Sequence, residues 1–450
     1  MYLKLAIRNA GRSISDYLLY LFSRIILLVI LCLSIHLANW GTVREGFHTM
    51  ALPLLIMLIT VLLVHYINTF IFRQRAKEFA TYLLLGMEKN KLSSAFVYEL
   101  SIMGMVCFLL GAALGTGIFF IYCRIMPHDA EPPFLSEILG KGLIQTFAYF
   151  VCSEALTIFF VKKKIHKLQI VQLISEKHRT QPLGAGKKNV WGFMLILSFF
   201  GYLALLSCIC FQTEKIMTVP ISLISLPVIL CVFSFYKWLY AFMASIRLSL
   251  SDTLYQGSRL YEIAEMTTTS ITGAYINTVF CLCLIISATS FVFGILLFHP
   301  DFPVFEQAQQ QWMGFLQISI CIIFMVIYFS ILSLLHILDF KKEEKNIRIL
   351  SYLGKNQSEL NSLLCRKILV KLFLPTAMSF AVLLPATLFI NYKLNFFFPV
   401  SMRSIILKAM AGFILCFFAL YLCYFHIIYF TAIGHMKHCA IHTFPRHDTH

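Results

Sequence analysis

The sequence predicts an all-α polytopic membrane protein with about ten transmembrane helices and both termini cytoplasmic. Three observations carry this. Of 450 residues, 59% are apolar and 13% are charged, about half the charged share of an ordinary soluble chain. The apolar residues fall in continuous runs long enough to cross a bilayer. Lys and Arg crowd the loops on one side of those runs. A soluble globule of this size cannot hide so much apolar surface. Continuous rather than alternating runs also argue against a β-barrel.

The runs are Tyr17–Ala38, Met50–Phe72, Ala95–Met126, Lys141–Val161, Val190–Phe211, Ile216–Ser245, Ile271–Phe298, Gln311–Phe340, Ile368–Leu394 and Arg403–Ile433. The first is longer than the apolar core of a signal peptide and lacks a small-residue cleavage site, so it reads as a span. With the N-terminal side taken as inside, Lys and Arg favour the inner loops by about four to one, which sets the orientation. The net charge of +16 is then explained by a basic face beside anionic lipid, with no nucleic-acid partner. The outer loops Asn39–Thr49, Pro127–Gly140, Gln212–Lys215, His299–Gln310 and Asn395–Met402 are too short for a domain, which needs about 50 residues.

Between the second and third runs stands FRQRAKEFATYLLLGMEKNKL, Phe72–Leu92. Ala76, Phe79, Ala80, Leu83 and Leu84 recur at i, i+3, i+4, i+7 and i+8, one apolar stripe on a helix. Arg73, Arg75, Lys77 and Glu78 lie mostly off it. Gly86 suits a helix C-cap that needs positive φ. The spacing predicts a short amphipathic helix, a sharp turn and a return into the membrane. FKKEEKNIRILSYLGKNQSEL, Phe340–Leu360, repeats the pattern 268 positions later without gaps, matching Phe72 with Phe340, Lys77 with Lys345, Phe79 with Ile347, Tyr82 with Leu350 and Gly86 with Gly354. Both copies follow an out-to-in run and precede an in-to-out run, so the repeat is parallel, of a kind common in transporters.

These stretches, with LAIRNAGRSISDYLLYLF (Leu5–Phe22) before the first run, resemble the FtsX-type permeases, the membrane subunits of ABC transporters of the mechanotransmission kind. Ten spans with a signature after the second and the eighth are similar to the BceB-like bacitracin-exporter permeases of Gram-positive bacteria. The resemblance implies two FtsX-like units of four spans plus two linking spans. It divides the chain into an amphipathic N-terminal helix (1–16), a first unit (17–162) with a coupling helix at 73–86, a basic linker (163–189) and two linking spans (190–245). A cytoplasmic amphipathic segment (246–270), a second unit (271–433) with a coupling helix at 341–354 and a His-rich tail (434–450) follow. It further implies that Arg73, Arg75, Lys77, Glu78, Phe79, Leu83, Gly86, Lys345, Ile347, Leu350 and Gly354 serve coupling to a separate ATPase present in two copies. Phe79 and Ile347 would be the groove anchors. ATP and Mg²⁺ would be bound by that partner, and this chain would not be an enzyme. The implied role is export or detachment of a lipid or amphiphilic peptide, as in bacitracin or lantibiotic resistance, at a bacterial plasma membrane, with a histidine kinase as a further partner. A signalling scaffold working with an ATPase and a sensor kinase, or an ATP-independent carrier, are the alternatives. One departure is clear: BceB-like permeases carry a large extracellular domain between the seventh and eighth spans, where this chain has only HPDFPVFEQAQQ, His299–Gln310.

The chain has no nucleotide loop of its own. GAGKKN, Gly184–Asn189, has Gln181 where the first glycine should stand and Lys188 in place of the Ser or Thr that holds Mg²⁺, so it reads as basic linker. Arg24, Glu154, Lys237 and Lys371 fall in or near apolar runs. The two lysines can reach the inner surface along their stems, as can Glu154 near Lys162–Lys164. Arg24, about two turns inside the first run, is the candidate for a buried ion pair. Gly111 and Gly115 form a G-x-x-x-G for close helix packing. The 14 cysteines predict no extracellular disulfide, since none lies in an outer loop. The C-x-C pairs Cys208/Cys210 and Cys281/Cys283 sit in apolar runs without an entry path for a metal.

Overall fold

The computed structural model describes residues 14–45, 51–125, 132–167, 188–211, 221–249, 270–299, 307–352, 357–397 and 404–441. Among them all regular structure is helical. The helices are α1 (Ile14–Glu45), α2 (Ala51–Gln74), α3 (Ala76–Leu84), α4 (Lys89–Ile125), α5 (Pro132–Lys167), α6 (Lys188–Phe211), α7 (Ile221–Ser249), α8 (Ser270–Leu297), α9 (Gln307–Tyr352), α10 (Gln357–Phe397) and α11 (Ile405–Ile441). Within the described residues, nine helices are long and apolar enough to cross a bilayer: α1 and α4 to α11. Within the run predicted as the second span lies the apolar stretch Pro53–Thr69 of α2. The protein is a multi-pass membrane protein.

The chain forms two compact units, Met1–Arg179 and Thr180–His450. In the first, α1 is the most enclosed helix: Leu27, Leu28, Leu31, Cys32 and Ile35 are almost wholly buried. A helix apolar all round belongs at the centre, and α1 packs against α2, α4 and α5, while α5 also packs against α2 and α4. In the second unit α8 takes the central place. It packs against α9, α10 and α11, and α11 in turn packs against α9 and α10. The same five helix pairings therefore recur in each unit. Helices α6 and α7 add to the second unit, packing on each other, with α7 also on α8 and α6 on α10.

Lipid tails are as apolar as leucine, so close approach of backbones must hold the helices together. Gly111 and Gly115 of α4 do this against α1. A Cβ at Gly111 would stand 2.7 Å from Leu28 Cβ, and one at Gly115 would stand 2.8 Å from Cys32 Cβ and 3.0 Å from the Val29 carbonyl. In the second unit α10 carries Pro375 and Pro385 inside its length. Each proline frees carbonyls one turn earlier, which must find other donors. Tyr202 of α6 donates its hydroxyl to the Val382 carbonyl at 2.7 Å, three residues before Pro385. The Thr376 hydroxyl, beside Pro375, donates to the Phe373 carbonyl at 2.8 Å and lies 3.3 Å from the Leu372 carbonyl. Cys281 and Cys283 are fully buried in α8, where the Cys281 thiol meets the Tyr236 hydroxyl at 3.2 Å.

Several expected segments lie outside the described residues: 1–13 of the N-terminal helix, most of the linker 163–189 and of 246–270, and the tail from 442. The linker is helical at its edges, to Lys167 in α5 and from Lys188 in α6.

Gly111→Ala and Gly115→Ala are expected to lower stability by about 1–3 kcal/mol each, seen as earlier thermal unfolding in detergent. Gly117→Ala is expected not to lower it, since a Cβ there meets nothing within 4 Å.

Candidate functional site

The break between the second and third runs is an elbow built from the end of α2, the nine-residue α3 and the start of α4. Arg75 stands alone at the junction with φ −96° and ψ 9°. Its N–H still reaches the Ile71 carbonyl at 3.0 Å, and its carbonyl accepts from the Phe79 N–H at 3.1 Å. The guanidinium turns inward: Nη1 donates to both carboxylate oxygens of Glu99 on α4, at 2.8 and 2.9 Å. Nε donates to Glu78 at 2.9 Å. The side chains of Arg75 and Glu99 are 9% and 4% exposed. The Arg75 guanidinium carbon also lies 5.3 Å from the centre of the Phe79 ring.

That ring completes an apolar lock. Phe79 lies 5.2 Å from Phe72 of α2 and 5.3 Å from Phe96 of α4, and Phe72 and Phe96 are 6.0 Å apart. All three are buried, as is Ala80. The other end of α3 closes through Gly86 at φ +91°. The Gly86 N–H reaches the Leu83 carbonyl at 3.1 Å and the Met87 N–H reaches the Tyr82 carbonyl at 3.0 Å, the double bond pattern that ends a helix with a left-handed residue. A Cβ on Gly86 would meet nothing within 4 Å, so the demand for glycine is one of φ alone.

Phe79 and Ala80, on the apolar stripe of α3, thus face their own unit, while Leu83 is half-buried and Leu84 exposed. A helix of nine residues is marginal by itself and needs tertiary packing to persist, and Phe79 and Ala80 supply it. What α3 presents outward is its end: Leu84 is 67% and Leu85 79% exposed, with Glu78 and Thr81 also exposed and Leu83 half-buried. Arg75, expected to serve coupling, is buried and paired with Glu99 of its own unit. The backbone of Arg73 and Lys77 is helical, but their side chains lie outside the described residues.

The second signature differs in shape. Helix α9 runs unbroken from Gln307 to Tyr352, through the stretch expected to form a separate coupling helix. Lys345, Ile347 and Leu350 lie on this helix with side chains outside the described residues, as does Gly354 entirely.

Deeper in the first unit, Arg24 of α1 is 3% exposed and forms an ion pair with Glu154 of α5. Glu154 therefore turns to Arg24 instead of to the surface. Gly104 of α4 lies beside the pair: a Cβ there would stand 2.8 Å from Glu154 Oε1 and 3.0 Å from Arg24 Nη2. Sequence reasoning passed over Glu99, Phe96 and Gly104. The usable signal for Glu99 was an acid inside an apolar run, five residues past Ser94. Nothing in one dimension marks Gly104. Lys237 stands 5.5 Å from the Phe233 ring and 5.3 Å from the Tyr275 ring, and Lys188 4.8 Å from the Phe242 ring. Among the described residues no group of three or more His, Cys, Asp or Glu could hold a metal ion.

Residues 50–162, which span α2 to α5 and contain the whole elbow, match the family described as FtsX-like permease C-terminal. The chain is also similar to a protein of Bacillus subtilis (strain 168) described as the uncharacterized ABC transporter permease YvcS, 24% identical over 151 residues, which are 33% of this chain and 23% of that relative. The likeness therefore spans about a quarter of the relative's length.

Arg75→Ala strands a buried carboxylate and is expected to cost about 3–5 kcal/mol, whereas Gly86→Ala is expected to cost about 1–2 kcal/mol. Thermal unfolding of the purified variants in detergent checks both, and equal small effects would contradict the geometry.

Proposed function

We propose that this chain is the membrane subunit of an ATP-driven permease complex at a bacterial plasma membrane. A separate cytoplasmic ATPase, in two copies, binds and hydrolyses ATP with Mg²⁺, and this chain converts that cycle into movement of its spans. The observation that carries the reading is the elbow: a short helix clamped to α4 by buried charge and aromatic packing, with two leucines left exposed at its tip. An exposed leucine pair beside an exposed glutamate is suited to a shallow groove on a soluble partner. The FtsX-like match over 50–162 and the likeness to an ABC transporter permease support the same reading. In this form Leu84 and Leu85 replace Phe79 as the docking residues. The cargo class is an amphiphile, a lipid or a bacitracin- or lantibiotic-like peptide, removed from the outer leaflet.

A second reading is favoured by the short outer interval His299–Gln310. There the chain relays the ATPase's state to a partner such as a membrane histidine kinase, with no transport of its own.

Co-purification tests the docking. Each leucine buried in an interface contributes about 1.5–3 kcal/mol, so Leu84→Asp with Leu85→Asp is expected to abolish recovery of a P-loop ATPase with the tagged chain in mild detergent. The variant should still elute as the wild type does. Undiminished ATPase recovery would reject the elbow tip as the docking surface.

A further inference from the structure

Helix α3 follows α2 directly in the chain, so force on the elbow would be expected to pass into α2. The side chains argue for a different route. At its start, α3 is tied to α4 through Arg75 and Glu99. Along its length Phe79 rests on Phe96 of α4 as well as on Phe72 of α2. At its end the Gly86 turn leads within three residues into α4 at Lys89. Three sides are thus closed: helix, turn and charged strut. The elbow and the first three turns of α4 make one stiff triangle.

Five residues beyond Glu99, about 7.5 Å along the axis, Gly104 places bare backbone beside the Arg24–Glu154 pair. That pair joins α1 to α5 across α4. Two and three turns further, Gly111 and Gly115 press α4 against Leu28 and Cys32 of the same α1. A shift or rotation of α4 has no slack at Gly104. It must move the guanidinium and carboxylate, whose ends are the parts free to give.

We infer that α4 is the transmitting helix of the first unit, with Glu99 receiving motion from the elbow and Gly104 delivering it to the Arg24–Glu154 pair between α1 and α5. The inference rests on the reading of the elbow as a docking point and extends it to a path. Arg75, Glu99, Gly104, Arg24 and Glu154 are positioning residues. The path belongs to the first unit: at the 268-residue offset, Arg75 corresponds to Glu343, Glu99 to Lys367 and Gly104 to Leu372, which reverses the charge order and removes the glycine.

Hydrogen exchange on the purified chain in lipid nanodiscs tests the path without any partner. Glu99→Gln is expected to raise exchange about tenfold in 76–84 and also in 21–28 and 150–158, with 53–69 unchanged. The reciprocal change Arg75→Glu with Glu99→Arg, made together with Glu78→Gln so that the new carboxylate meets no like charge, should restore protection in all three segments. A rise confined to 76–84 would overturn the inference, as would an equal rise in 53–69. Gly104→Ala, whose methyl would come nearest to the ends of Glu154 and Arg24, should loosen 21–28 and 150–158 while leaving 76–84 protected. Loss of protection in 76–84 as well would also count against the inference. With a co-purified ATPase, ATP should alter exchange at 21–28 and 150–158 in the wild type but not in Gly104→Ala, although ATPase recovery stays the same. An ATP response that survives Gly104→Ala would overturn the path. If the wild-type chain recovers no ATPase, the permease reading fails, and the exchange pattern of the chain alone still decides the path.

Discussion

In hydrocarbon no water is at hand to satisfy a backbone amide, so every N–H and C=O must be answered from within the chain. That constraint makes the described residues helical throughout and dictates how the irregular places are mended. Near the two prolines of α10, Tyr202 donates from α6 to the Val382 carbonyl and Thr376 donates to the Phe373 carbonyl of its own helix. Threonines elsewhere bond their own helix in the same way, as Thr60 does to Ile56 and Thr157 to Ser153.

With lipid as the alternative solvent, burying leucine between helices brings little gain, and packing detail decides which helices meet. Glycine is the means between α1 and α4. Charge is the means at two levels of the first unit, and in both places it is paired: Arg75 with Glu99 and Arg24 with Glu154. An unpaired charge at either depth would be costly enough to force its neighbours apart. The pairing therefore specifies one arrangement of α1, α4, α5 and the elbow, whatever its net contribution to stability.

The elbow shows how an amphipathic pattern marks an apolar face without naming its neighbour. Phe79 and Ala80 do lie on one buried face of a helix, as their spacing requires. Periodicity reports that a face is apolar and is silent on what covers it. A nine-residue helix cannot hold itself together and spare that face for a partner, so Phe79 packs between Phe72 and Phe96. The apolar surface left exposed is the tip, where Leu84 and Leu85 end the helix before the glycine turn.

Sequence by itself determined the membrane class, the approximate spans, the positive φ at Gly86 and the glycine contact along α4, because each follows from composition, run length or a local backbone demand. It also singled out Arg24 as a charge too deep to leave unpaired, but had no means of naming Glu154, which lies 130 positions away. Tertiary structure alone decided that Glu99 answers Arg75, that Gly104 stands beside the deeper pair and that α9 continues without a break where the first unit bends. These are contacts between distant segments, and a linear pattern carries the need for a partner without the address of the partner that meets it.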